Sequence, residues 1–117
     1  MQFSPELVAK VLSGSKTVTR RRLRDGQPIR YQVGKLYAVQ PGRGKRHVGH
    51  IKVTGVWRAR LRDMEAYDAL CEGFGSVKEF ARCWLGLHGN WDPYETVAVI
   101  EFELADRCPD CHTLAGS

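Results

Sequence analysis

No stretch of this 117-residue chain comes near the roughly 18 uninterrupted apolar residues that a membrane-crossing helix requires. The first residues also lack the basic segment followed by an apolar one that marks an export signal, so the protein is expected in the cytoplasm. Four cysteines without such a signal do not make a disulfide framework, and Cys71 and Cys83, in apolar helical surroundings, read as core thiols. No segment repeats and none is of low complexity, which excludes solenoids and flexible linkers. The length allows one core and is too short for two domains.

What is present is an ordinary folded composition, 43% hydrophobic and 26% charged, with an excess of positive charge. The formal net charge of +5 comes from 18 basic and 13 acidic residues. The basic ones crowd into 16–24, 43–46 and 58–62, and the acidic ones into 63–79 and 92–106. That separation predicts one basic face, whose commonest partner is nucleic acid; a merely solvated surface is the alternative.

The chain is organised around Gly14-Ser15-Lys16-Thr17-Val18-Thr19-Arg20-Arg21-Arg22. A helix leads into it, with Ser4 as N-cap, Pro5 at the first helical position and Gly14 closing the end. Leu7, Val8, Val11 and Leu12 form its core stripe, and Phe3 and Val8 a hydrophobic staple. Residues 17–22 read as a strand in which only Val18 is inward-facing by chemistry, as expected of a strand at an edge or beside a cavity. Amine, hydroxyls and guanidiniums gathered at one corner suit an anionic or nucleotide-like ligand.

Residues 25–34 read as a loop and 35–39 as a short strand, followed by the basic turn Pro41–Arg46. Arg43, Lys45 and Arg46 of this turn are candidates for phosphate contact, a solvated hairpin tip being the alternative. His47–Leu61 is the longest strand signal, bent by Gly49 and Gly55. Met64, Tyr67 and Leu70 share one side of a helix that ends at Glu72, between that helix and a second one opened by the Ser76–Glu79 capping box. The second helix buries Val77, Phe80, Ala81 and Trp84 and ends near Gly86. Thr96–Leu104 is the last strand, residues 1–104 the domain, and 105–117 a C-terminal tail.

Gly14, Lys16, Thr17, Thr19 and Arg21, then Glu72-Gly73-Phe74 with Ser76, Glu79, Phe80 and Trp84, then Val97, Val99, Ile100 and Phe102, resemble the ASCH domain family. The resemblance runs from about residue 3 to 104 and implies an α+β fold, a PUA-like small mixed β-barrel of about five strands with two to three helices packed on it. It implies a cleft in which the Lys16–Thr19 corner faces Glu72, with RNA or a modified nucleoside as partner and no cofactor. One small bacterial branch of the family hydrolyses the acyl amide of N4-acetylcytidine with a lysine, a threonine and a glutamate, which match Lys16, Thr19 and Glu72. That branch has an apolar residue where Arg20 stands and lacks the Gly-Phe that follows Glu72, which leaves the substrate open.

Three readings of function follow: an RNA- or modified-nucleoside-binding domain, an N4-acylcytidine amidohydrolase, and a regulatory module that uses the basic face alone. In the hydrolytic reading Thr19 is the nucleophile and Lys16 its base, the ammonium weakened by desolvation and by neighbouring cations, while Glu72 shuttles a proton. Lys16 can meet Thr19 only from the turn after Gly14, because strand residues three apart face opposite ways. Thr17, Arg20, Arg21 and Arg22 are expected to contact ligand. Trp91, beside His88 and Asn90, is the candidate for stacking a base. An ordinary Lys16–Glu72 salt bridge is the structural alternative. Cys108, Cys111 and His112 have the spacing of half a zinc site, whose other ligands a partner chain or His47, His50 or His88 would have to supply; a disordered or disulfide-closed tail is the default reading, and no metal is expected.

Overall fold

The computed structural model describes residues 1–24 and 27–105. Ser4 accepts from the Leu7 N–H, Pro5 opens α1 (Pro5–Ser13), and Gly14 closes it at φ 83°, a left-handed conformation that glycine takes without penalty. Val8 and Val11 are buried with Phe3, whereas Leu12 is 38% exposed, so the core stripe is narrower than the helical spacing implied.

The strands are β1 (Val18–Arg22), β2 (Leu36–Val39), β3 (Gly49–Arg60) and β4 (Thr96–Ala105). They form one antiparallel sheet in the order β1-β4-β3-β2. This corrects the expectation of five strands in a barrel: there are four among the described residues, and β1 and β2 are edges with no ladder between them. The expected bend is present, because the β3–β4 register shifts between Val53 and Gly55. One bulge in a four-stranded sheet does not bring its edges together.

Burial of β4 explains how the sheet is used. Val97, Ala98, Val99 and Ile100 are all buried, so this strand is covered on both faces. Val97 packs with Leu61, Met64, Ala69, Phe80 and Trp84, beneath α2 (Ala66–Cys71) and α3 (Val77–His88). Ala98 and Ile100 pack with Val53 beside Leu23, Ile29 and Tyr31, and Phe102 joins the cluster of α1.

The helix after β3 differs in detail from its sequence pattern. Met64 is buried in the 3-10 turn and its exit, but Tyr67 and Leu70 are exposed, and Ala69 is the inward residue of α2. α3 opens with Ser76 accepting from the Glu79 N–H at 3.1 Å, as expected, but Glu79 reaches back to the Gly75 N–H, one residue before the cap, so the capping box is only half formed. It runs on past Gly86 to His88 and is closed by Gly89 at φ 81°. No helix among the described residues is long and apolar enough to cross a membrane.

Candidate functional site

Two corners of the chain are tied to each other by backbone bonds. Beyond the end of α1, the Lys16 N–H donates to the Lys10 carbonyl at 3.0 Å and the Thr17 N–H to the Cys71 carbonyl at 2.8 Å. From the other side, the Lys10 ammonium donates to the Gly73 carbonyl. Gly73 turns at φ 94° against Lys10, Lys16 and Leu7, a close approach that a side chain would obstruct. Glu72, the residue that closes α2, is thereby held against the start of β1.

The side chains then complete a buried ion cluster. Lys16 Nζ donates to Glu72 Oε1 at 3.1 Å, to the Glu72 carbonyl at 2.8 Å and to the Val18 carbonyl at 2.7 Å. Arg20 Nη1 donates to Glu72 Oε2 at 2.8 Å. Lys16 and Glu72 are each 2% exposed and Arg20 9%, so one carboxylate is shared between two cations away from solvent. Burial pushes the Lys16 ammonium below its ordinary pKa; Glu72 opposes this by charge and hydrogen bond, and Arg21 and Arg20 reinforce it. Burial likewise lowers the pKa of Arg21.

This cluster forms part of the wall of a cleft of about 500 Å³, within the size range of small-molecule sites. Phe3, Phe74, Phe80 and Trp84 supply aromatic surface, and Thr19, Arg21 and His88 polar groups. Arg21 donates to Thr19 Oγ1 at 3.3 Å and to the Gln2 carbonyl at 2.7 Å, and its guanidinium lies 5.0 Å from the centre of the Phe3 ring. Among the described residues, two side-chain donors of the cleft are buried without a partner, Arg20 Nε and Trp84 Nε1; His50 Nδ1, outside the cleft, is the third such nitrogen. A buried N–H without an acceptor is costly, and both residues line the cleft.

The structure brings Lys16, Thr19, Arg20, Arg21 and Glu72 to one cleft, without a hydrogen bond between Lys16 and Thr19. Arg22 also lines it, but Glu95 takes its guanidinium at 2.8 and 3.0 Å and Asn90 at 2.7 Å. Thr17 is half-buried and outside the lining, as is Trp91, which packs edge-on to Phe80 with centroids 6.3 Å apart. Arg43, Lys45 and Arg46 are exposed on their turn, and only Pro41 and Gly42 of that segment reach the cleft. Cys108, Cys111 and His112 lie outside the described residues, among which no metal-binding cluster occurs.

Sequence reasoning passed over Phe3, His88 and the unpartnered side of Trp84. Trp84 is core, 3% exposed, as its spacing from Phe80 implied, yet its ring nitrogen faces no acceptor. The signal for His88 is its place one helical turn after Trp84, against which it packs with centroids 4.2 Å apart. Burial, and then Arg22, hold the pKa of His88 below the ordinary imidazole value.

The model of the family described as the ASCH domain matches residues 1–106. Similar solved structures include the ASCH domain from Lactobacillus crispatus JV V101, at 19% identity and TM-score 0.63, with 85% of this chain and 70% of that one covered. A protein from Enterococcus faecalis V583 gives 21% identity and TM-score 0.67, over 89% of this chain and 72% of that one. A mutant of the ASCH protein from Zymomonas mobilis gives 15% identity and TM-score 0.63, over 100% and 78%. At these identities the likeness is one of fold. No curated protein matches the sequence significantly.

Proposed function

Because the chain belongs to the ASCH domain family, we propose that it is an RNA-binding domain that takes one nucleotide, or a modified nucleoside, into the cleft between β1 and the helices. The observation that carries this reading is the pair of buried, unpartnered donors, Arg20 Nε and Trp84 Nε1, in a cleft walled by aromatic rings. Such a site calls for a flat ligand bearing acceptors. Glu72 already accepts from Lys16 and Arg20, so a cationic ligand would compete for a spent carboxylate, whereas a phosphate or base carbonyl meets the free donors.

Titration of the protein with nucleoside monophosphates and short single-stranded RNA, followed by tryptophan fluorescence and calorimetry at low salt, tests this. Saturable binding that is weakened tenfold or more in Arg20→Ala is the expected result. Absence of binding to either class would remove the reading.

A second reading is favoured by one observation. The proton affinity of Lys16 is lowered by burial, and Thr19 shares its cleft, as hydrolysis of an N4-acylated cytidine would need. Against it, all three Lys16 ammonium protons have acceptors, an arrangement that holds the ammonium in place rather than freeing a base. Turnover of N4-acetylcytidine by the wild type and loss of it in Lys16→Ala and Glu72→Ala would establish hydrolysis; no product from any variant would leave binding alone.

A further inference from the structure

One wall of the cleft is built from β1, an edge strand of the sheet. Thr17 and Phe102 stand opposite each other, one step before the Val18–Glu101 pair, and the Thr17 carbonyl accepts from the Phe102 N–H at 2.9 Å. Bonded and non-bonded pairs alternate along an antiparallel ladder, so Thr19 and Arg21 turn their main-chain groups toward β4. Val18, Arg20 and Arg22 turn theirs away from it, and among the described residues no strand pairs with β1 on that side. The bond from Lys16 Nζ to the Val18 carbonyl is made from that open side. Four consecutive residues, Thr19 to Arg22, line the one cleft, as a strand presented edge-on does. By the β1–β4 register Arg20 bonds neither its N–H nor its C=O to β4, and among the described residues no bond outside the ladder reaches either group.

We infer that the cleft reads the base of its ligand through the main chain of Arg20, whose N–H donates to an acceptor on the base edge while its C=O accepts from the neighbouring donor. The inference rests on the nucleotide-binding reading and adds to it the atoms that recognise the base. Nucleobases carry a donor and an acceptor side by side on one edge, so a single residue of open strand can engage both. An added peptide strand fits less well: Lys16 already occupies the Val18 carbonyl, and β1 is five residues long, so the open edge is too short for a ladder. Phe3, Phe74, Phe80 and Trp84 provide apolar surface for the ring, and Arg20 Nε and Trp84 Nε1 remain for its outer carbonyls or phosphate.

The test is amide hydrogen exchange, followed by nuclear magnetic resonance, with each of the four ribonucleoside 5′-monophosphates in turn. For the nucleotide that binds, exchange at the Arg20 amide is expected to slow at least tenfold, while the Thr19 and Arg21 amides, already bonded to β4, change little. The same nucleotide methylated on its donor nitrogen is expected to bind at least tenfold more weakly. A nucleotide that binds without slowing exchange at Arg20, or as tightly when methylated, overturns the inference and leaves the cleft a nucleotide site. If no nucleotide binds, the functional reading falls and this inference with it.

Discussion

Glu72 faces two cations, and that imbalance ranks the substitutions around it. Glu72→Gln leaves Lys16 and Arg20 buried together without a counter-charge, and is expected to destabilise the fold by about 3–5 kcal/mol. Lys16→Met leaves a neutral Arg20–Glu72 pair and removes a desolvated ammonium, so about 1–2 kcal/mol is expected. Urea unfolding with unchanged m-values measures both, and the opposite order would make Lys16, not Glu72, the pivot of the cluster. His88 makes a separate prediction at this scale. Its pKa is lowered in the folded protein, so as pH falls below the ordinary imidazole value of 6.5 the unfolded chain takes up the proton first and stability declines, levelling off beneath the folded pKa. Thermal midpoints between pH 7.5 and 5 should show that decline, and it should be smaller in His88→Gln. The effect is modest because the imidazole is partly solvated.

At the scale of elements, the site depends on one turn. Gly73→Ala must place a Cβ at φ 94°, 3.1 Å from Lys10 Cδ and 3.6 Å from Lys16 Cβ, in the corner that aims Glu72. Gly89→Ala meets nothing within 4 Å and bears only the cost of its left-handed backbone, about 1 kcal/mol. Gly73→Ala is therefore expected to cost about 2 kcal/mol or more and to weaken nucleotide binding, with Gly89→Ala leaving affinity unchanged; equal affinities for the two variants would detach the turn from the site. The contrast also shows what the sequence disclosed. The caps of α1 and the start of α3 were legible because Ser4, Gly14, Ser76 and Glu79 act over three or four residues. Strand number and closure were not, because pairing joins residues such as Arg21 and Ala98 that lie far apart in the chain. Side-chain chemistry marks only Val18 of β1 as inward-facing, yet Thr19 and Arg20 are buried as well, because both line the cleft that this strand shares with Phe80 and Trp84 of α3. A place in a loop makes Trp91 look free to stack on a base, but the loop folds its ring onto Phe80.

Across the whole molecule, the net charge of +5 is distributed among groups with unequal freedom to meet a polyanion. The charges of Arg22 and of Lys16 and Arg20 are already met by Glu95 and Glu72, so although Arg20 Nε can still donate to the bound nucleotide, neutralising the further phosphates of a strand falls to other basic residues. Arg43, Lys45 and Arg46 are exposed on a turn whose first two residues, Pro41 and Gly42, border the cleft. A strand with one nucleotide in the cleft would carry its next phosphates over this turn. Each phosphate neutralised on a single strand contributes roughly 0.7 to the slope of log affinity against log salt. Replacing all three by alanine should reduce that slope by up to about 2 for a short single-stranded RNA, while a mononucleotide, which ends inside the cleft, should bind as before. Titrations between about 50 and 200 mM salt measure both. An unchanged RNA slope would move the path of the strand off this turn, and a weakened mononucleotide would mean that the turn belongs to the cleft itself.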